Sequence, residues 1–473
     1  MDGHMHKSYR VWNPPQYAQQ SHSPVGKLPE GDLVFFLLDV VPQLDLWPFY
    51  THYESETRGA PPFDPALMVC LLLYAYCVGL FSSRKIALAC ERNLAFLAIV
   101  GDDRPDFRTI SDFRKIHVHA LGGLFQQVLK LAAAAGLVRL GNISIDGTKI
   151  QGNASRHKAM SYGYMKKEEA RLRAEIERLL KQAQTTDAAE DAALGSRRGD
   201  ELPEELQRRE TRLAVILAAK ERLEAEARAE AEAERHRRQE AEAERQRTGA
   251  KRRGREPAPV VDAPADKAQT NFTDPELQIM KANNKGWDCC GNAQAAVDGA
   301  CQIIVACEVT AAANDKQQAV PLAQATQANL QQAGIHPPSD AAGQPQKIPA
   351  TLDSGYYSET AAQELETMGF DPYMATGRQR HHGPATTAAE PPLGREATAK
   401  EKMAAKLRTP EGRALYARRK AIVEPVFGQI KGVRGFRRFL LRGLAKVRGE
   451  WRLLCLTHNL LKIWRYRCAP AIN

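Results

Sequence analysis

The chain has 473 residues, a formal net charge of +10 and 26% charged residues. That length exceeds one ordinary hydrophobic core and predicts two or three domains, and the basic excess favours a polyanionic partner. Nine scattered cysteines, without two facing CxxC pairs, argue against a disulfide framework and structural zinc and fit a reducing cytoplasm.

The first residues hold no apolar run of the secretory type, and residues 1–30 read as a polar, proline-bearing arm. Residues 31–136 read as a helical domain. Apolar positions recur at helical spacing through Asp32–Leu46, Pro65–Phe81, Ser83–Val100 and Ala120–Ala135, with Ser111 as a helix N-cap. The stretch from Ala66 to Phe81 is short for a membrane span and contains Tyr74 and Tyr76. It reads as a core helix, so no membrane partner is expected.

Strands begin near Leu137, with Val138–Asp146 first and Thr148–Gln151 extending it or pairing back. The catalytic part thus opens at residues 137–165. A charged insertion with its linker, 166–270, interrupts it. From Lys166 to Arg255 no aromatic residue occurs. One apolar stripe (Leu172, Ile176, Leu179, Leu180) and a second (Leu206, Leu213, Ile216, Leu217, Leu223) predict two long helices in a coiled-coil-like antiparallel hairpin. Glu224–Arg247 has only alanine as a seam and reads as a single exposed helix.

Strand signals return at residues 291–309, where Asp298-Gly299 marks a hairpin turn. A helix follows over Asp315–Ala333, a strand over Lys347–Leu352, a helix over Ser358–Met368 and a strand over Asp371–Ala375. After a polar loop come helices at Glu411–Gly432, with Pro425 inside, and Leu444–Tyr466. Residues 271–473 therefore complete the catalytic part. With the insertion removed, an antiparallel meander precedes parallel crossover strands. The predicted fold class is an α/β, ribonuclease H-like mixed sheet with an all-α N-terminal domain and a long charged helical insertion.

Three acids stand out in this order: Asp146 and Asp353 at strand ends, and Glu424 in a basic helix. Each alone also reads as a turn aspartate or a solvated helical acid. Together, in one fold, they suit two divalent cations held against a phosphodiester, because such chemistry needs an activated oxygen nucleophile and charge relief at the leaving oxygen. Lys431 lies close to two helical turns after Glu424, on the same face. No Walker A motif, GxGxxG or HxxxH spacing is present.

The segments Ile145–Ser155 (IDGTKIQGNAS), Gly291–Asp298 (GNAQAAVD), Leu352–Glu359 (LDSGYYSE), Arg419–Lys431 (RKAIVEPVFGQIK), Arg448–Trp451 (RGEW), Thr457–Leu461 (THNLL) and Pro105–Arg114 (PDFRTISDFR) resemble bacterial insertion-sequence transposases of the DDE class. The resemblance implies that Asp146, Asp353 and Glu424 are the triad. It also implies that Tyr416, a basic residue at 419–420 and Lys431 belong to the Tyr-Arg-Glu-Lys signature. Arg419 keeps the spacing from Tyr416, and Lys420 keeps the spacing to Glu424. Two Mg²⁺ or Mn²⁺ ions, double-stranded DNA with terminal inverted repeats, a DNA target and a homo-oligomer on paired ends are further implications. Arg84, Lys85, Arg108 and Arg114 are candidate DNA contacts of the N-terminal helices, a region that reads equally as a dimerisation domain. Competing functions are a silent transposase-derived DNA-binding protein, a nuclease or resolvase without strand transfer, and a coiled-coil scaffold.

Overall fold

Capping carboxylates and prolines set many of the helix starts in this chain. In the computed structural model, residues 10, 23–54, 61–194, 204–249, 256–282, 286–339, 342–377 and 397–468 are described. The N-terminal helices are α1 (Leu33–Val40), α2 (Trp47–Glu54), α3 (Pro65–Cys77), α4 (Ser83–Arg92), α5 (Leu94–Val100), α6 (Phe107–Ile116) and α7 (Val118–Ala134). Next come β1 (Ile143–Gln151), β2 (Ala159–Ser161), the long α8 (Tyr162–Leu194) and α9 (Glu204–Thr248), β3 (Gln269–Asn271), β4 (Gln278–Lys281), β5 (Trp287–Asp298) and β6 (Ile304–Thr310). The chain continues through α10 (Ala319–Gln332), β7 (Ile348–Leu352), α11 (Glu359–Thr367), β8 (Phe370–Met374), α12 (Ala399–Arg408), α13 (Pro410–Gly428), a π turn (Gln429–Val433) and α14 (Leu444–Cys468).

Contacts divide these elements into two units: Met1–Asn153 with Lys281–Gly286 and Cys290–Asn473, and Ala154–Met280 with Trp287–Cys289. In the first unit the helices up to α7 fold together with the sheet. Among the described residues the sheet has six strands: β5 pairs with β4, β6 and β1, and β1, β7 and β8 follow in that order, with β6, β5 and β1 antiparallel and β1, β7 and β8 parallel. This is the meander-then-crossover arrangement expected from the pattern. Helix α3 is apolar on every side and buried accordingly; Asp64 accepts the Ala66 N–H (2.8 Å) and Pro65 needs no partner at the first helical position. Helix α14 packs on α7, α3 and β6. No single described helix is long and apolar enough to cross a membrane.

Several readings change. The first strand runs over Ile143–Gln151 and not Val138–Asp146, so Asp146 lies inside it, and helix α12 begins at Ala399, within the stretch read as polar loop. The expected helix over Ser83–Val100 breaks at Asn93, whose side chain caps α5 through Ala95 N–H (3.0 Å). Ser111 lies inside α6, and Asp106 is the cap, accepting N–H groups of Arg108 and Thr109 at 2.7 and 2.8 Å. A carboxylate immediately before the helix reaches two free N–H groups at once, an advantage a hydroxyl five residues later cannot match.

In the second unit α8 and α9 pack antiparallel. Met165, Leu172, Ile216 and Leu223 form their buried seam. Ion pairs Glu175–Arg209 (2.9 Å) and Glu169–Lys220 (2.7 Å) run in opposite chain order along it. The far half of α9 is accompanied by the returning chain, as Arg238 donates to Ala258 O (2.8 Å). β2 and β3 pair below the hairpin, an element the sequence pattern did not signal.

Candidate active site where β7 leaves β1

Parallel pairing sets Ile145 of β1 opposite Leu352, the last residue of β7. Asp146 and Asp353 each come next, so register alone places them side by side where β7 leaves the sheet. Two residues earlier on each strand segment, the Ser144 and Thr351 hydroxyls meet at 2.8 Å. Side chains two apart on a strand share a face, so both aspartates project on the side marked by that hydrogen bond.

Asp146 is largely buried. Its Oδ1 accepts the Gly147 N–H (2.8 Å) and its Oδ2 accepts from Arg419 (2.9 Å). Burial pushes its pKa up to about 6 and the Asp353 carboxylate pushes the same way, while Arg419 and the Gly147 N–H pull it down. Asp353 accepts the Gly355 N–H at 2.8 Å, closing a tight turn after β7. Arg419 comes from α13, which crosses β1 and β7. Its guanidinium carbon lies 5.9 Å from the centre of the Tyr416 ring, and burial raises the Tyr416 pKa.

One π turn beyond α13, Lys431 donates to Thr148 Oγ1 (2.8 Å), on the Asp146 face of β1. Burial lowers its pKa. Lys420 is exposed, so of the two basic candidates it is Arg419 that meets Asp146. Glu424 is exposed on the edge of the stripe formed by Ile422, Val423, Val426 and Phe427. Among the described residues no three His, Cys, Asp or Glu side chains are placed to hold one cation. The fold thus brings together Asp146, Asp353, Arg419 and Tyr416, with Lys431 on Thr148 two residues along β1; Glu424 stands on the same helix as Arg419 and is exposed.

Behind Asp146, on the opposite face of β1, lies a polar network that sequence reasoning missed as a unit. Asp315 accepts from Asn292 (2.6 Å), Gln294 (2.7 Å) and Lys149 (3.5 Å). Buried Tyr356 donates to the other end of the Gln294 amide. A Cβ on Gly147 would run into that amide, which is why glycine follows Asp146. The signal available was alternation: Asn292 and Gln294 are polar at period two within an otherwise buried strand.

Among the N-terminal candidates, Arg84, Lys85 and Arg108 are exposed, with Arg84 and Arg108 over the Phe107 ring at 5.1 and 5.7 Å. Arg114 is buried and donates to Phe81 O (2.8 Å), Ser83 Oγ and Tyr76 OH. Its guanidinium is committed to the helical core and does not face solvent.

Residues 385–464 match the family described as the Transposase DDE domain, and residues 24–116 match the Transposase domain (DUF772). Both matches support an insertion-sequence DDE transposase. No curated protein and no solved structure matches it. The DDE match covers the signature helix α13, the π turn and most of α14. In this chain α14 is a spine for the site. Glu450 accepts the N–H groups of Leu440 (2.8 Å) and Leu441 (3.3 Å). The Trp451 indole donates to Gln294 O (2.9 Å). His458 lies against Gln429 Oε1 (3.1 Å) and Gln302 O (2.9 Å), and Asn459 pairs with both backbone groups of Ile304 (2.8 and 2.9 Å). Gln302 in turn donates to Ala421 O (2.9 Å), the carbonyl left unpaired because Pro425 has no N–H.

Proposed function

We propose that this transposase cleaves DNA at the terminal inverted repeats of its element and joins the resulting 3′-hydroxyl ends to target DNA. The observation that carries the reading is the register-enforced pair Asp146 and Asp353, with Arg419 against the buried member. The strand order supports a ribonuclease H-like catalytic sheet, and the positive charge supports a DNA partner.

The donor chemistry fits a hard divalent cation. Both partners are carboxylates, and Asp146 is an anion whose burial is costly and which already draws a cationic side chain to itself. We assign Asp146 and Asp353 as ligands of Mg²⁺ or Mn²⁺, two ions in all, with Glu424 as the third carboxylate on the strength of its place in the signature helix. Bound there, the ions supply an activated oxygen nucleophile and charge relief at the leaving oxygen. The chain's own groups orient the substrate. Lys431 faces the same side of β1 as Asp146 and suits a phosphate oxygen. Arg419 holds the Asp146 carboxylate in one rotamer. Arg84, Lys85 and Arg108 are assigned to the element end, and paired ends call for a homo-oligomer.

The test is cleavage of a linear duplex carrying the element ends, with and without Mg²⁺. Asp146→Asn and Asp353→Asn are each expected to lower cleavage by about 10³-fold, the value of several kcal/mol of charge stabilisation, while binding persists. Glu424→Ala is expected to do the same. Full cleavage by Glu424→Ala removes that residue from the site and leaves the aspartate pair standing. Binding by the wild type without metal-dependent cleavage favours the silent DNA-binding protein, and cleavage without joined products favours the nuclease.

A further inference from the structure

After the π turn the chain crosses to α14 as an irregular arch, residues 434–443. Its inward side is packed and hydrogen-bonded. Buried Arg434 donates to Thr457 Oγ1 (2.8 Å) and Leu454 O (3.3 Å), Phe436 and Phe439 are fully buried, and Glu450 holds the Leu440 and Leu441 N–H groups. The arch is also bonded to the end of β1. Gln151 N–H donates to Arg437 O (3.3 Å), Phe439 N–H donates to Gln151 O (2.8 Å), and Asn153 donates to Leu440 O (2.8 Å).

That anchoring leaves Arg437, Arg438 and Arg442 exposed on the outer side. Each spends donors only on neutral oxygens: Arg437 on Lys431 O (3.3 Å), Arg438 on Gln151 Oε1 (3.1 and 2.9 Å), Arg442 on Asn153 O (2.9 Å). Among the described residues none of the three meets a carboxylate, in contrast to Arg171, Arg173 and Arg238 of the second unit. Three fixed, uncompensated guanidinium groups on a rigid segment present a demand for anions.

Their placement says which anions. β7 covers one edge of β1 only at Ile143–Ile145, and the arch rejoins at Gln151. The stretch from Asp146 to Ile150 has no strand on that edge among the described residues. The Asp146–Asp353 pair stands at one end of this notch, Lys431 on Thr148 stands within it, and the arch arginines close the other end. Five strand residues span about 17 Å, the axial length of about five nucleotides of duplex.

We infer that Arg437, Arg438 and Arg442 form a phosphate track for the DNA strand running from the bond held at Asp146 and Asp353. The inference rests on the proposed DNA-cleaving function. Contacts of this kind are independent of sequence, so the probe is a linear duplex of arbitrary sequence, bound by the full-length protein across a KCl series. Replacing all three arginines with glutamine is expected to flatten the slope of log K against log salt by about 0.9 per arginine, and lysine at the same positions is expected to restore it. Equal slopes for wild type and the folded glutamine variant overturn the track while leaving the cleavage proposal untouched. A wild type with no salt-dependent affinity for duplex overturns both. If the triple variant does not melt like the wild type, Arg437→Gln alone is used, because that side chain holds a single backbone oxygen; its expected slope change is about 0.9, and no change overturns the track.

Discussion

Asp146 carries an electrostatic cost that can be measured without DNA. Its folded pKa of about 6 stands above the unfolded 3.8, with burial the largest cause. The folded state therefore binds the proton more tightly, and stability falls as pH rises from about 4 to 6, then stays lower. The loss is on the order of 3 kcal/mol. Asp146→Asn cannot ionise. In urea melts of metal-free protein it is expected to exceed the wild type by that amount at pH 7.5, with the difference vanishing near pH 4. A difference independent of pH would show that burial of this charge is not the cause. At this scale the aspartates were legible because each ends an apolar run beside a glycine, although Asp146 lies within the continuous strand β1 and not at the strand end that the pattern suggested. Arg114 was not: its neighbours in sequence resemble a basic surface helix, and only the packing of α6 turns it inward.

Helix α14 decides how firmly the site is held. Its motif residues read in sequence only as part of a family likeness, because their partners lie on β5, β6, α13 and the arch, far away along the chain. Gly449 shows the same dependence on packing. A Cβ there would meet Val118 Cγ2 at 2.6 Å and Val118 O at 2.8 Å, so α7 and α14 approach closely only through glycine. Gly449→Ala is expected to lower the denaturant midpoint by about 1–3 kcal/mol of stability, the usual cost of overpacking. An unchanged midpoint would mean the two helices separate freely. Helix α13 was readable in extent from its basic amphipathic pattern. Which of Arg419 and Lys420 meets Asp146 was not, since the two spacing rules disagreed and the angle of the helix on the sheet settled the contact.

For the molecule as a whole, the two-unit division follows from one register. Gln151 at the end of β1 pairs with Cys290 in β5, so the chain leaves the sheet and returns to the same place. Residues 154–280, the main segment of the second unit, can therefore be replaced by a short linker. The shortened chain is expected to keep a cooperative melt and the far-UV signature of a mixed α/β protein; aggregation or a non-cooperative melt would show that the first unit needs the second. The sequence by itself determined most of the helices, the strands from β5 to β8 in their order, the charged interruption and the pair of aspartates that end apolar runs, because periodicity, caps and turn residues act over a few positions. Only the tertiary structure decided what each side chain faces: the register that joins Asp146 to Asp353, the burial of Arg114, the exposure of Glu424 and the arginine arch beside β1. Those depend on contacts between segments far apart in sequence, which local patterns do not encode.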